Sequence, residues 1–156
     1  MMKNTLFTLL LSLLVSISAF AEVRLSSIFT DHMVLQRDQA LKIWGWADAK
    51  ETISLIFNGQ NLQSKADKFG FWSVELKPMT YGGPFELNVK GNSNTISLKD
   101  ILIGDVWIGS GQSNMEWPLI NTNQGEVTIA NSNNPQIRLF TVDKAMSPEP
   151  KQEVDG

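Results

Sequence analysis

Thr52-Ile53-Ser54-Leu55-Ile56-Phe57-Asn58-Gly59-Gln60-Asn61-Leu62-Gln63-Ser64 is a run of residues that changes direction at its middle. Ile53, Leu55 and Phe57 recur every second residue, the period of a half-buried strand. Asn58-Gly59 follows at once, and both residue types tolerate the positive φ values of a tight hairpin turn. Leu62 and Ser64 continue on the return strand. The flanking segments extend this β pattern. Downstream, Trp72, Val74 and Leu76 alternate after a break at Phe69-Gly70. Gly82-Gly83-Pro84 predicts a turn, Phe85, Leu87 and Val89 a strand, Gly91-Asn92 another turn, and Ile96 with Leu98 the last strand. Upstream, Leu41, Ile43 and Gly45 alternate with Lys42, Trp44 and Trp46, and bulk on both faces predicts a strand covered on both sides. Turn signals recur every ~8–12 residues, the spacing of a sandwich or barrel. Residues 22–99 are therefore expected to form a β-sandwich domain.

The pattern changes near Asp100. Ile101-Leu102-Ile103-Gly104 and Val106-Trp107-Ile108-Gly109 are nearly continuous apolar runs, as suits parallel strands buried on both faces. A loop rich in Gly, Ser and Asn comes next, then a short helix from Glu126 to Ala130 that Pro135 ends. Ile137, Leu139 and Thr141 alternate with Arg138, Phe140 and Val142 as a further strand. Strand, loop, helix and strand make the start of a βαβ unit. Two or three parallel strands cannot bury both faces of a sheet. Residues 100–156 are thus expected to be the incomplete start of an α/β domain, whether a fragment or a broken gene.

Residues 1–21 have the form of a signal peptide. Lys3 supplies the positive start, Leu6 to Ile17 the apolar stretch, and Ala19-Phe20-Ala21 the small-x-small cleavage pattern. The apolar run is shorter than the ~20 residues of a spanning helix. The expectation is export to the periplasm or the medium, with Glu22 as the first mature residue and no membrane association afterwards.

The whole chain has a formal charge of −3, and it becomes one unit more negative once Lys3 leaves. A mildly acidic surface argues against nucleic acid as a partner. There are no cysteines, so no disulfide supports the fold, and the scattered acidic residues show no metal-ligand spacing. Neither a metal nor another cofactor is expected. The oligomeric state is not legible. A single histidine, His32, is present.

The chemical signal lies in Val106-Trp107-Ile108-Gly109-Ser110-Gly111-Gln112-Ser113-Asn114-Met115-Glu116-Trp117-Pro118. An apolar strand runs out into a small-residue turn that carries a serine. Gly109 and Gly111 permit close backbone approach. Ser113 would stand at the C-terminal end of a strand, the edge at which open α/β sheets bind ligands. Its backbone N–H would face the site as an oxyanion donor. A serine in such a loop is ordinarily only a turn residue. The pattern also departs from the G-x-S-x-G nucleophile elbow, because Met115 stands where the second glycine belongs.

Gly111-Gln112-Ser113-Asn114-Met115-Glu116-Trp117 resembles the nucleophile block of the sialate O-acetylesterases, which are SGNH-type hydrolases. Asp31-His32-Met33-Val34-Leu35-Gln36-Arg37 resembles the N-terminal signature of that family. Trp44-Gly45-Trp46-Ala47, Gly70-Phe71-Trp72, Gly82-Gly83-Pro84-Phe85 and Ile137-Arg138-Leu139-Phe140 are similar to further family segments. The resemblance covers essentially all of the mature chain. It implies an SGNH-type, three-layer hydrolase domain after the sandwich, and an acetylated carbohydrate as substrate. It also implies acyl transfer through Ser113, with an acetyl-enzyme that water hydrolyses. In this family the triad histidine and aspartate come from late in the chain, and no histidine follows Ser113 here. A serine without a base is a weak nucleophile, so this chain alone is expected to be inactive.

His32 is expected as a structural or turn residue, Asp105 as a strand-end residue, and Glu116 as a positioner of the loop. The tryptophans are expected mainly in packing. Trp117, beside the nucleophile, is the best placed of them to stack on a sugar. Gln112 and Asn114 are the other candidate substrate contacts. Two rival functions are a carbohydrate-binding module without chemistry and an acetylesterase acting on plant polysaccharide. A third is a sandwich that only orders a partner domain.

Overall fold

The computed structural model describes residues 22–151, 153, 154 and 156. The expected signal peptide lies outside the described residues. The described chain is mostly β, with eight strands in two sheets, two 3-10 turns and one short helix.

The Ile53–Phe57 pattern becomes β4 (Thr52–Phe57), and the Asn58-Gly59 turn returns it as β5 (Gln60–Lys65). Asn58 and Gly59 have φ values of 43° and 75°, as a turn of this kind requires. On its other side β4 pairs antiparallel with β7 (Gly82–Lys90), which turns through residues 91–94 into β8 (Thr95–Gly104). β2 (Val34–Gln36) joins the far edge of β8 in parallel, giving the order β2-β8-β7-β4-β5. The second sheet is antiparallel throughout, in the order β1 (Arg24–Leu25), β3 (Leu41–Trp46), β6 (Phe71–Leu76).

Both sheets contribute to one apolar core. Ile43, Trp72 and Leu76 come from the three-stranded sheet, and Ile53, Leu55, Phe57, Leu87, Val89 and Ile101 from the five-stranded one. Each such side chain stabilises the fold by about 1.5–3 kcal/mol relative to exposure. On β3, Ile43 and Gly45 are buried. The opposite face is only partly covered, with Phe29 edge-on to Trp44 and the Arg24 guanidinium 4.0 Å above Trp46.

Four expectations need correction. Ile101 to Gly104 does not start a new strand but ends β8, where Leu102 to Gly104 pairs in parallel with β2, and Ile101 and Ile103 complete the core described above. Gly82-Gly83-Pro84 opens β7 rather than turning the chain. Gly83 has a φ of 125°, and the register shifts between Gly82 and Phe85, as in a β-bulge. Val106 to Gly109 and Ile137 to Val142 are not strands, so no βαβ unit is present among the described residues. A strand buried on both faces needs flanking strands and covering helices. Among the described residues no element supplies them, and Trp107, Ile108 and Leu139 are 90%, 92% and 93% exposed. The short helix is present as α1 (Gly125–Ala130).

Candidate active site

The candidate site is built where β8 leaves its sheet. Arg37 donates its backbone N–H to Gly104 O (2.9 Å) and its Nε to Asp105 Oδ1 (2.8 Å). Val106 N–H donates to Gln36 Oε1 at 2.8 Å. The exit from the strand is thus fixed by polar side chains, and Asp105 is the strand-end residue expected. The carboxylates of Asp105 and then Asp38 hold the Arg37 guanidinium still more firmly protonated than usual.

Beyond the exit the chain runs without regular secondary structure to Gln112 and then closes into a 3-10 turn, Ser113–Glu116. Met115 N–H donates to Gln112 O (2.8 Å) and Trp117 N–H to Asn114 O (3.3 Å). Neither Gly109 nor Gly111 has a positive φ. At Gly111 the space matters instead, since a Cβ there would meet Met115 Cγ at 2.6 Å. A second 3-10 turn, Leu119–Asn121, and α1 follow.

Ser113 is exposed at the head of the first turn, and not at the end of a strand as expected, because Val106 to Gly109 is not a strand and β8 ends nine residues earlier. Among the described residues neither its hydroxyl nor its backbone N–H has a hydrogen-bond partner. Gln112, Asn114 and Trp117 are exposed on the same turn, and Trp117 Nε1 donates to Asn121 O at 3.4 Å. Glu116 pairs with Lys144 Nζ at 2.5 Å, which ties the turn to a later segment. A cavity of about 240 Å³ lies between Val142 and Val154, and Ser113 does not line it.

His32 is not brought to Ser113. Its Nδ1 lies 2.6 Å from Asp100 Oδ2, four residues or ~13 Å of strand from the end of β8. Arg138 reaches the same carboxylate, with Nη1 3.1 Å from Oδ2 and Nη2 3.2 Å from Oδ1. The bond to His32 and then that to Arg138 hold the Asp100 carboxyl below the usual carboxylate range. Neither Asp100 nor Arg138 stood out in sequence as a site residue. The available signal was the place of Arg138 within a family-like segment. Among the described residues no group of three His, Cys, Asp or Glu side chains could hold a metal ion, and no helix is long and apolar enough to cross a membrane.

No family model matches the chain. Sialate O-acetylesterase from Rattus norvegicus is 31% identical over 97% of this chain and 30% of its own length. The Mus musculus sialate O-acetylesterase is 33% identical over 86% of this chain and 27% of its own length. A crystal structure of a carbohydrate acetylesterase from Xanthomonas citri superposes with a TM-score of 0.83 at 38% identity. It covers 86% of this chain and 31% of the solved one. The chain belongs to the sialate O-acetylesterase family. It spans about a third or less of the length of these relatives. Membership makes it part of a family of carboxylic ester hydrolases that deacetylate carbohydrates. The shared stretch includes the sheets that carry β8 and the turn that follows it.

Proposed function

We propose that this chain contributes the nucleophile segment of a carbohydrate O-acetylesterase, with Ser113 as the attacking residue. The observation that carries this is an exposed serine at the head of a tight 3-10 turn, nine residues beyond the end of β8, whose hydroxyl and amide have no hydrogen-bond partner among the described residues. The Ser113 oxygen attacks the acetyl carbonyl carbon and its proton passes to a base. The ester C–O bond breaks, the sugar alcohol leaves protonated, and water hydrolyses the acetyl-enzyme. The Ser113 N–H is the proposed donor to the tetrahedral oxyanion. Gln112, Asn114 and Trp117 are the proposed sugar contacts, and an O-acetylated sialic acid is the proposed substrate.

The base has to come from elsewhere. The only histidine of the chain, His32, is held on Asp100. A complete member of the family would supply the missing histidine and aspartate, and this chain alone is proposed to have no turnover. The proposed organisation is a β-sandwich followed by an SGNH-type segment that starts where β8 ends. Export is part of the same proposal, on the form of residues 1–21.

A graft tests the assignment. Residues 22–142 replace the matching segment of a full-length relative, and hydrolysis of an acetylated chromogenic ester is measured. The expected result is an active graft in which Ser113→Ala lowers kcat by about 10³-fold or more. An S113A graft with undiminished turnover removes Ser113 from the chemistry. Turnover by the ungrafted chain that S113A abolishes would overturn the external base.

A further inference from the structure

Residues 105–138 form one long excursion from the five-stranded sheet, and Ser113 lies within it. Polar contacts anchor the excursion at both ends. At the outgoing end Gln36 and Arg37 hold Val106 and Asp105, as described above. The returning end is held by Arg138, whose side chain is 20% exposed, the least of any charged group in the ion pairs among the described residues.

The Arg138 contacts use most of its guanidinium. Nε donates to Pro135 O at 2.8 Å, within the returning segment itself. Nη1 donates to His32 O (3.0 Å) and Asp100 O (3.2 Å), while Nη2 donates to Asp100 Oδ1. The seat it grips is preformed. Lys99 and Asp100 together oppose Glu86, because Leu98 pairs with Leu87 and Ile101 with Phe85. This is a β-bulge, and bulges re-aim side chains. Asp100 has a φ of 54° there, and His32 a φ of 64°. Asp31 Oδ1 accepts from Lys99 N–H at 2.6 Å, and His32 N–H donates to Lys99 O at 3.0 Å. The bulge and the 31–32 turn thus support each other.

We infer that Asp31–Arg37 is a double clamp that fixes both ends of the Ser113 excursion, with Arg138 and Arg37 as its two positioning residues. The segment is built for this. Val34 and Leu35 seat it on β8, and polar residues at its two ends hold the chain on either side of the nucleophile turn. Arg138 is suited to its place because a planar guanidinium satisfies several fixed acceptors at once, which a lysine ammonium does not. The purpose of the clamp, to position Ser113, rests on the esterase assignment. The clamp itself does not.

The chain has no cysteine, so spin labels enter without background at Glu126→Cys on α1 and Lys65→Cys on β5. Pulsed dipolar spectroscopy then reads how firmly the excursion sits on the sheet. The expected result is one narrow distance peak, widened at least about two-fold by Arg138→Gln or Asp100→Asn. Because the ion pair between Arg138 and the Asp100 carboxylate is common to both variants, the double variant widens the peak by less than the sum of the two singles. Arg138→Lys restores little of the narrow peak. Near-ultraviolet circular dichroism, dominated by the packed Trp44, Trp46 and Trp72 of the three-stranded sheet, keeps loss of the clamp distinct from loss of the sheets. A broad peak in the parent, singles that leave it unchanged, or widths that add in the double variant each overturn the clamp. In the active graft, Arg138→Gln is expected to lower kcat with KM little changed. A graft in which S113A stays active while the distances behave as expected removes the esterase assignment and leaves the clamp standing.

Discussion

Gly45→Ala is a sharp test of how the three-stranded sheet is assembled. A Cβ at position 45 would lie 1.9 Å from Arg24 O, 2.9 Å from Arg24 C and 3.0 Å from Leu25 Cα. All three atoms are backbone, so no side chain can swing away. Non-bonded carbon atoms settle about 3.5–4.0 Å apart, and β1 would have to retreat by roughly 1 Å or more. That retreat breaks the pairing of Arg24 with Trp46 and of Leu25 with Gly45, and the Ser26 N–H bond to Trp44 O. It also uncovers Val23, which is 1% exposed. Loss of this burial and of two or three backbone bonds comes to about 3–5 kcal/mol. Gly59→Ala is the control, since nothing lies within 4 Å of its Cβ and only the φ of 75° opposes it. Its cost is about 1–2 kcal/mol. Urea unfolding followed by tryptophan fluorescence measures both. If G45A falls within about 0.5 kcal/mol of the parent, or costs less than G59A, β1 is not packed against β3 as described.

Two further outcomes follow from the ionised and the apolar surfaces. The Asp100 carboxyl, lowered by His32 first and Arg138 second, contributes stability that is complete above the ordinary aspartate range and is lost as pH falls through the lowered folded value. An NMR titration should give Asp100 a midpoint below that of free aspartate, and His32→Ala should raise it; an ordinary midpoint in the parent removes the ion cluster. Trp107→Ser and Leu139→Ser should each cost less than about 0.5 kcal/mol in urea and reduce binding of an apolar dye, because both side chains are at least nine-tenths exposed. A loss above about 1 kcal/mol in either shows that the side chain is packed.

What was legible in the sequence is what local chemistry decides. The β4–β5 hairpin needs only a period of two and an Asn-Gly turn, and both lie within thirteen residues. Gly82-Gly83-Pro84 misled because residues that permit a turn also permit a bulge, and only the partner strand distinguishes them. Val106–Gly109 and Ile137–Val142 misled differently. Their apolar pattern records a face that favours burial and says nothing about what covers it. At the site, Ser113 was visible only through the family-like block around it, since a serine among glycines is otherwise a turn residue. The Arg138 cluster was invisible for a physical reason. Its bonds to His32 and Asp100 span 106 and 38 residues of sequence, and no local pattern encodes contacts at that range.

The position of β2 gives the family-like signature a role beyond packing. β2 is an edge strand of three residues, parallel to β8, with Leu35 as its buried side chain. So short an element adds little to the core, yet it is flanked by Asp31, His32, Gln36 and Arg37, each of which bonds to β8 or to the chain just beyond it. Burial of Leu35 sets the register, and the register decides which polar group meets which backbone atom. A slip by one residue would turn Leu35 to solvent and remove Gln36 from Val106 and His32 from Asp100 together. A nucleophile held by a loop needs both ends of that loop fixed to one rigid body, because freedom at either end becomes displacement of the reacting oxygen, and a misplacement of about 1 Å can cost 100-fold in rate. Here residues 31–37, set by one buried leucine, hold the outgoing end of the loop that carries Ser113, the proposed nucleophile, and share the returning end with Asp100 of β8.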